Sequence, residues 1–137
     1  MAAIDLTRKK NYQEKRVLST SAGRFTFDQA TGVLADNYIM FKIPADCIVI
    51  RGMINVLTAS QATVTASLGF AGGTELMATQ TVAAVAVKDS GVKALVTGTG
   101  KDLTIKFGTA IPTVGEFEIV VEYYEPTTGT NIRTITS

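Results

Sequence analysis

Two short stretches carry residues whose types and spacing could support chemistry. The first is GTGKD at residues 98–102, where Gly-Lys resembles the end of a phosphate-binding loop. Leu95 stands where the first glycine of such a loop belongs, and Asp102 replaces the Ser or Thr that would hold magnesium. The stretch is therefore predicted to be a hairpin turn and not a nucleotide site.

The second stretch contains Glu116 and Glu118, which lie two residues apart and so project from one face of a predicted strand. Paired carboxylates can act as acid and base when their environments differ. This face alternates with apolar residues and is predicted to be solvated. Lys101 and Lys106 on the preceding turn and strand are expected to lie across from the two carboxylates as counter-charges.

The remaining composition argues against catalysis. The chain has no His and a single Cys, which excludes Ser-His-Asp and Cys-His arrangements and the usual Cys/His zinc sites. Cys47 begins an apolar run, so it is predicted to be a small buried hydrophobe and not a reactive thiol. No catalytic residue, metal site or cofactor is predicted, and the protein is expected not to be an enzyme.

Basic residues concentrate at the start of the chain. The net charge of residues 1–24 is +4, and that of the remainder is −3. A solvated tail and an arm that reaches onto a neighbouring protein both remain open, since opposite charges attract across a subunit contact. Nucleic acid is not a predicted partner, because the body shows no basic stripe. The candidate partner-binding cations are Arg8, Lys9, Lys10, Lys15 and Arg16.

Strand signals recur after this arm at the spacing typical of sandwiches and barrels. The predicted strands are Arg24–Phe27, Tyr38–Ile43, Ile48–Thr58, Thr63–Phe70, Val92–Thr97, Leu103–Phe107 and Glu116–Glu125, with an added edge strand at Ile132–Ile135. The stretch Glu75–Val87 fits a broken strand, a helix or a loop. In the last long strand Tyr123 and Tyr124 face opposite ways, so at most one lies in the core, and Tyr124 is assigned to an interface.

The length of 137 residues, with 46% hydrophobic and 18% charged residues, indicates one globular domain. We predict an all-β fold: an antiparallel β-sandwich, jelly-roll-like, over residues 17–137, preceded by an extended arm at 1–16. The start of the chain lacks the apolar core of a leader peptide, and its longest apolar stretch is VAAVAV at 82–87. Folding in a cytoplasm without a membrane partner is expected.

Two stretches of the sequence resemble small virion proteins of tailed bacteriophages. IPADCIVIRGMINVLTA at 43–59 is similar to their Pro-Ala turn followed by a long strand. KDLTIKFGTAIPTVGEFEIVVEYYEP at 101–126 resembles their last hairpin, which completes a sandwich. In size and build the chain is most similar to capsid decoration, or cement, proteins.

This resemblance implies a structural protein that binds the outer surface of an assembled phage capsid across the joints between capsomers. The implied partners are the major capsid protein and further copies of the chain, as a homodimer or homotrimer. The implied location is the capsid surface of a virion assembled in the host cytoplasm. A head-fibre base or tail protein is an alternative. A carbohydrate-binding sandwich is another, although the chain has no Trp for stacking on sugars.

Overall fold

The computed structural model of the protein describes residues 16–34 and 36–126. These residues form nine β-strands and one short 3-10 helix. The helix spans Phe27–Gln29 and follows β1 directly. The strands are β1 Arg16–Thr26, β2 Asn37–Ile43, β3 Ile48–Thr58, β4 Thr65–Phe70, β5 Met77–Thr81, β6 Val87–Asp89, β7 Leu95–Val96, β8 Lys101–Gly108 and β9 Glu116–Pro126.

The strands form two antiparallel sheets. Sheet A has the order β1-β9-β3, and β6 and β7 both pair with the other side of β3. Sheet B has the order β2-β8-β4-β5. The first strand thus pairs with the last, β2 with β8, β3 with β6 and β7, and β4 with β5. This nested pairing is a long hairpin rolled into two sheets, so the predicted jelly-roll-like sandwich is confirmed.

The order of the sheets corrects two predictions about turns. Strands β8 and β9 lie in different sheets, so the stretch at 101–126 is an arch between the sheets and not a hairpin. The GTGKD stretch links β7 of sheet A to β8 of sheet B, and it too crosses between sheets. Gly98 in this crossing has a φ of 58°, which glycine adopts without steric cost.

Strand β1 is longer than predicted. It begins at Arg16, and eleven of its residues pair in unbroken register with β9. The sequence VLSTSAG at 17–23 has small polar residues and a weak alternation, which is why the predicted strand begins only at Arg24. Ser19, Ser21 and Gly23 share the inner face with Phe25, opposite large residues of β9. The neighbouring strand therefore supplies the packing that VLSTSAG itself lacks.

The stretch 75–87 contains two short strands with a loop between them. Strand β5 pairs with β4 in sheet B, and β6 crosses to pair with β3 in sheet A. Leu76, Met77 and Val82 are buried, whereas Val85 and Val87 are 69% and 60% exposed. The broken-strand alternative is correct, because the chain has to change sheets within this stretch.

An aromatic cluster joins the two sheets in the core. The ring centroid of Phe107 lies 5.2 Å from the ring centroid of Phe25 and 6.0 Å from those of Tyr38 and Phe117. Phe25 and Phe117 belong to sheet A, and Phe107 and Tyr38 belong to sheet B. Phe107 is 2% exposed and Phe117 is fully buried. Tilted ring pairs at these separations add to the stability gained by burial.

A buried hydroxyl closes the turn between β2 and β3. Cys47, predicted to be a small buried hydrophobe, is fully buried. Its backbone N–H donates to Oγ1 of Thr97 at 2.9 Å, and that hydroxyl lies 3.0 Å from the carbonyl oxygen of Pro44. Thr97 is itself 2% exposed. The side chain thus ties the Pro-Ala-Asp turn to the end of β7.

Replacing Thr97 with valine keeps the shape of the side chain and removes this hydroxyl. The variant is expected to lose about 1–3 kcal/mol of unfolding free energy, because the buried hydroxyl's hydrogen bonds to the N–H of Cys47 and the carbonyl of Pro44 would be lost. Urea denaturation measures the change. Thr113→Val is the matched control, since Thr113 is exposed and the change there should stay within about 0.5 kcal/mol. Equal stability of both variants would contradict the role given to Thr97.

Candidate interaction surface

The charged side chains of the described residues form exposed pairs and no catalytic grouping. Nη1 of Arg24 lies 2.7 Å from Oε1 of Glu116. In two further pairs, Lys42–Asp102 and Arg51–Asp89, a side-chain nitrogen lies 3.3 Å from a carboxylate oxygen. Exposed pairs of this kind contribute little to stability. Among residues 16–34 and 36–126, no three metal-binding side chains come together, and no helix is long and apolar enough to span a membrane.

The prediction that Lys101 and Lys106 supply the counter-charges of Glu116 and Glu118 is wrong. Lys101 and Lys106 belong to β8, which lies in sheet B, whereas both glutamates belong to β9 in sheet A. The cation beside Glu116 is Arg24 of β1, because β1 is the neighbour of β9. Glu118 lies directly opposite Arg24 and Asn55 in the register of sheet A.

The outer face of sheet A carries an apolar row across four strands. In the register of the sheet, Tyr124 lies between Leu18 of β1 and Ile48 of β3, and Ile48 lies opposite Val96 of β7. Leu18 is 53% exposed, Val96 68% and Tyr124 38%. We call Leu18, Tyr124, Ile48 and Val96 the apolar row. Its members are separated by tens of residues in the sequence, and only the sheet topology brings them together.

Polar residues border the apolar row on the same face. The next row of the sheet places Glu122 between Thr20 and Arg51. Arg51 also contacts Asp89 through the ion pair described above. An exposed apolar centre with a charged border is typical of protein–protein contact surfaces. This face therefore has the composition of a docking surface.

Two of the predicted site residues lie at the same corner of sheet A. Arg16 is the first residue of β1 and pairs with Pro126, two positions from the Leu18–Tyr124 pair. The basic arm therefore joins the domain beside the apolar row. Tyr123 is 8% exposed and Tyr124 points outward, as predicted. Arg8, Lys9, Lys10 and Lys15 and the predicted strand Ile132–Ile135 lie outside the described residues. The other members of the apolar row were missed, because no local pattern marks them.

A groove runs along one edge of the sandwich, between β1 and β2. Its volume is about 570 Å³, and it is lined by backbone and side chains of residues 23–25, 29 and 37–40. Gly23 allows the sheets to approach closely here, since a Cβ at this position would lie 3.3 Å from the ring of Phe41. Phe25 and Tyr38 pack 5.3 Å apart at the base. The lining offers no grouped acid or base for catalysis.

No protein-family model matches the sequence, and a comparison with curated proteins finds no significant match. The fold, however, is found in chains of three phage capsid structures. A chain of the acidic stable capsid structure of Helicobacter pylori bacteriophage KHP30 aligns with a TM-score of 0.62 at 17% identity, over 84% of this chain and 95% of that one.

The other two alignments are similarly extensive. A chain of the capsid of Ralstonia phage GP4 aligns with a TM-score of 0.59 at 18% identity, over 80% of this chain and 86% of that one. A chain of the cyanophage Pam1 capsid asymmetric unit aligns with a TM-score of 0.53 at 21% identity, over 92% of this chain and 93% of that one. At these identities the likeness establishes a shared fold.

Proposed function

We propose that the protein is a structural component of a phage virion that binds the outer surface of an assembled capsid and stabilises contacts between capsomers. The observation that carries the proposal is the fold shared with chains of three phage capsid structures over at least 80% of this chain. The absence of a catalytic grouping among residues 16–34 and 36–126 fits a structural role, and no enzymatic activity is proposed.

The apolar row is the proposed contact with the major capsid protein. Its aromatic member, Tyr124, stands at the centre of the row with an apolar neighbour on each side. Aromatic residues in this position carry a large part of the binding energy in many interfaces. The charged border of Glu122, Arg51 and Asp89 would remain at the rim and fix the orientation of the contact.

The basic arm is the second proposed contact. Arg8, Lys9, Lys10, Lys15 and Arg16 are proposed to lie across a neighbouring subunit, where they would pair with acidic side chains. Because the arm joins the domain at Arg16, at the corner of sheet A that holds Tyr124, the arm and the apolar row can engage neighbouring surfaces at the same time. Two linked contacts raise the overall affinity well above that of either one.

Stabilisation follows from mass action. A protein that binds the assembled lattice and not its separated subunits shifts the equilibrium toward the lattice. The proposed partners are the major capsid protein and further copies of this chain, and the proposed location is the capsid surface of a virion assembled in the host cytoplasm. Nucleic acid and membrane are not proposed as partners, and no cofactor is required.

The proposal is tested by quantitative mass spectrometry of purified virions from the source phage. A simple ratio to the major capsid protein, equivalent to hundreds of copies, is expected for a protein that covers the lattice. A few to a few dozen copies would instead favour the alternative of a tail or head-fibre component. Absence from the virion would overturn both assignments.

Removal of residues 1–15 is expected to leave a folded domain with weakened capsid binding. If each of the four lost cations contributes about 0.2–1 kcal/mol at a solvated contact, the affinity should fall by between about fourfold and about 700-fold, and more steeply at low salt. Co-sedimentation with capsids stripped of the protein measures the change over a range of salt concentrations. A variant with Arg8, Lys9, Lys10 and Lys15 changed to serine separates the effect of charge from that of length. Unchanged affinity in both variants would contradict the role of the arm.

A further inference from the structure

Strand β1 differs from the other edge strands of the sandwich. Strands β6 and β7 contain three and two residues, and the pairing of β2 with β8 and of β5 with β4 is interrupted by a register shift. Short and bulged edges resist pairing with other chains. β1 has eleven residues in unbroken register with β9 and contains neither Pro nor Lys. It is therefore the edge in the described part of the chain that is open to a further strand.

The pairing with β9 determines which backbone groups of β1 are available. Phe27 continues the register and donates its N–H to the carbonyl of Gly115 at 3.0 Å. Backbone groups alternate along a strand, so the odd-numbered residues of β1 bond β9 and the even-numbered residues point away. The N–H of Thr26 is taken by Oε1 of Gln29 at 2.8 Å. The interior residues that present both N–H and C=O on the open side are Leu18, Thr20, Ala22 and Arg24.

We infer that β1 pairs antiparallel with β1 of a second copy, about a two-fold axis at Ser21. This register places Leu18 opposite Arg24 of the second copy and Thr20 opposite its Ala22. Every residue with an available N–H and C=O then lies opposite another such residue of the second copy. The two-fold axis generates four of these pairs, and each pair exchanges two hydrogen bonds. A shift in either direction leaves some of these groups unpaired. An isologous contact of this kind closes as a dimer.

The side chains of β1 permit this approach. The central residues 19–23 are Ser, Thr, Ser, Ala and Gly, so no charge or large side chain stands at the axis. In the proposed register Arg24 meets Leu18 and no like charge, and its own charge is paired with Glu116.

The groove between β1 and β2 lies along the same edge. A second copy would cover its apolar base, where Gly23, Phe25, Tyr38 and Met40 are gathered. The outer face of sheet A would remain uncovered except beside Leu18, where Arg24 of the second copy lies, so Tyr124, Ile48 and Val96 stay available for another partner. Self-association through β1 therefore does not depend on the proposed capsid contact, and it can be tested with the purified protein alone.

The test uses two matched cysteine variants. Ser21 would face itself across the axis in a pair with a Cα separation of about 4.5 Å, which a disulfide can bridge. Ser19, on the same face of the same strand, would lie about 13 Å from its copy. Under mild oxidation Ser21→Cys is expected to form a covalent dimer and Ser19→Cys to remain a monomer on a non-reducing gel. The native Cys47 is fully buried and does not compete.

Size measurement by light scattering completes the test. The full-length protein is expected at twice the 14.5 kDa mass of the chain at micromolar concentration. Ala22→Pro should be a folded monomer, because its N–H is not used by β9 and a proline is tolerated there. A monomeric wild-type protein, or a dimer that is not cross-linked through residue 21, would overturn the inference. These outcomes hold whether or not the protein is found in a virion.

Discussion

Replacing Phe107 with alanine is expected to lower the free energy of unfolding by about 3–5 kcal/mol. The side chain is 2% exposed and packs against rings from both sheets, so its removal would leave a cavity that neither sheet can close alone. The loss is comparable to the whole stability of a marginal domain. The variant is therefore expected to be partly unfolded at 37 °C.

Urea denaturation at 25 °C, followed by circular dichroism, measures the effect of Phe107→Ala. Phe27→Ala is the matched control, because Phe27 is 44% exposed and its loss should cost about 1 kcal/mol or less. A midpoint for Phe107→Ala equal to that of the control would show that the aromatic cluster is not the centre of the core. A changed slope would instead indicate an altered unfolded state.

Replacing Tyr124 with alanine is expected to weaken capsid binding roughly 30- to 700-fold, which corresponds to about 2–4 kcal/mol for a central aromatic contact. The expectation rests on the proposed function and on the position of Tyr124 between Leu18 and Ile48. Stability should change little, since the side chain is already 38% exposed. Competition binding to capsids that lack the protein measures the affinity.

Val33→Ala serves as the control for this experiment. Val33 is 70% exposed and lies in the loop after the 3-10 helix, away from the apolar row. Its replacement should leave capsid affinity within a factor of about three, as is usual for a residue outside an energetic centre. Equal losses for the two variants, or no loss for Tyr124→Ala, would remove the apolar row from the proposed interface.

The sequence predicts the strands of this fold well where alternation is strong. β2, β3, β8 and β9 begin and end within about two residues of their predicted limits, because each has regular apolar positions bounded by turn residues. Alternation fails where neighbours change the environment of a residue. Alternation with Leu103 and Ile105 predicts a solvated Thr104, yet Thr104 is 1% exposed. Its hydroxyl donates to the carbonyl of Gly69 in β4 and accepts the N–H of Gly72 in the turn that follows β4.

The candidate surface could be predicted only in part. Tyr124 was found because two adjacent tyrosines on one strand cannot both enter the core. Leu18, Ile48 and Val96 carried no such signal, since each is an ordinary apolar residue in its own segment. The error over Lys101 and Lys106 has the same origin: strands that follow each other in the chain are not neighbours in a sheet when the connection crosses the sandwich.

The pairing of β1 with β9 also has a consequence for how the protein is made. Arg16 pairs with Pro126, so β1, the first described strand, cannot take its place in sheet A until β9, the last described strand, is present. Such distant pairing slows folding, because a long loop must close before the contacts that stabilise it exist. On the ribosome β1 would have no partner until β9 has been synthesised. Sheet A is therefore expected to form only after β9 has left the ribosome, and fragments that lack β9 should be captured by chaperones or aggregate.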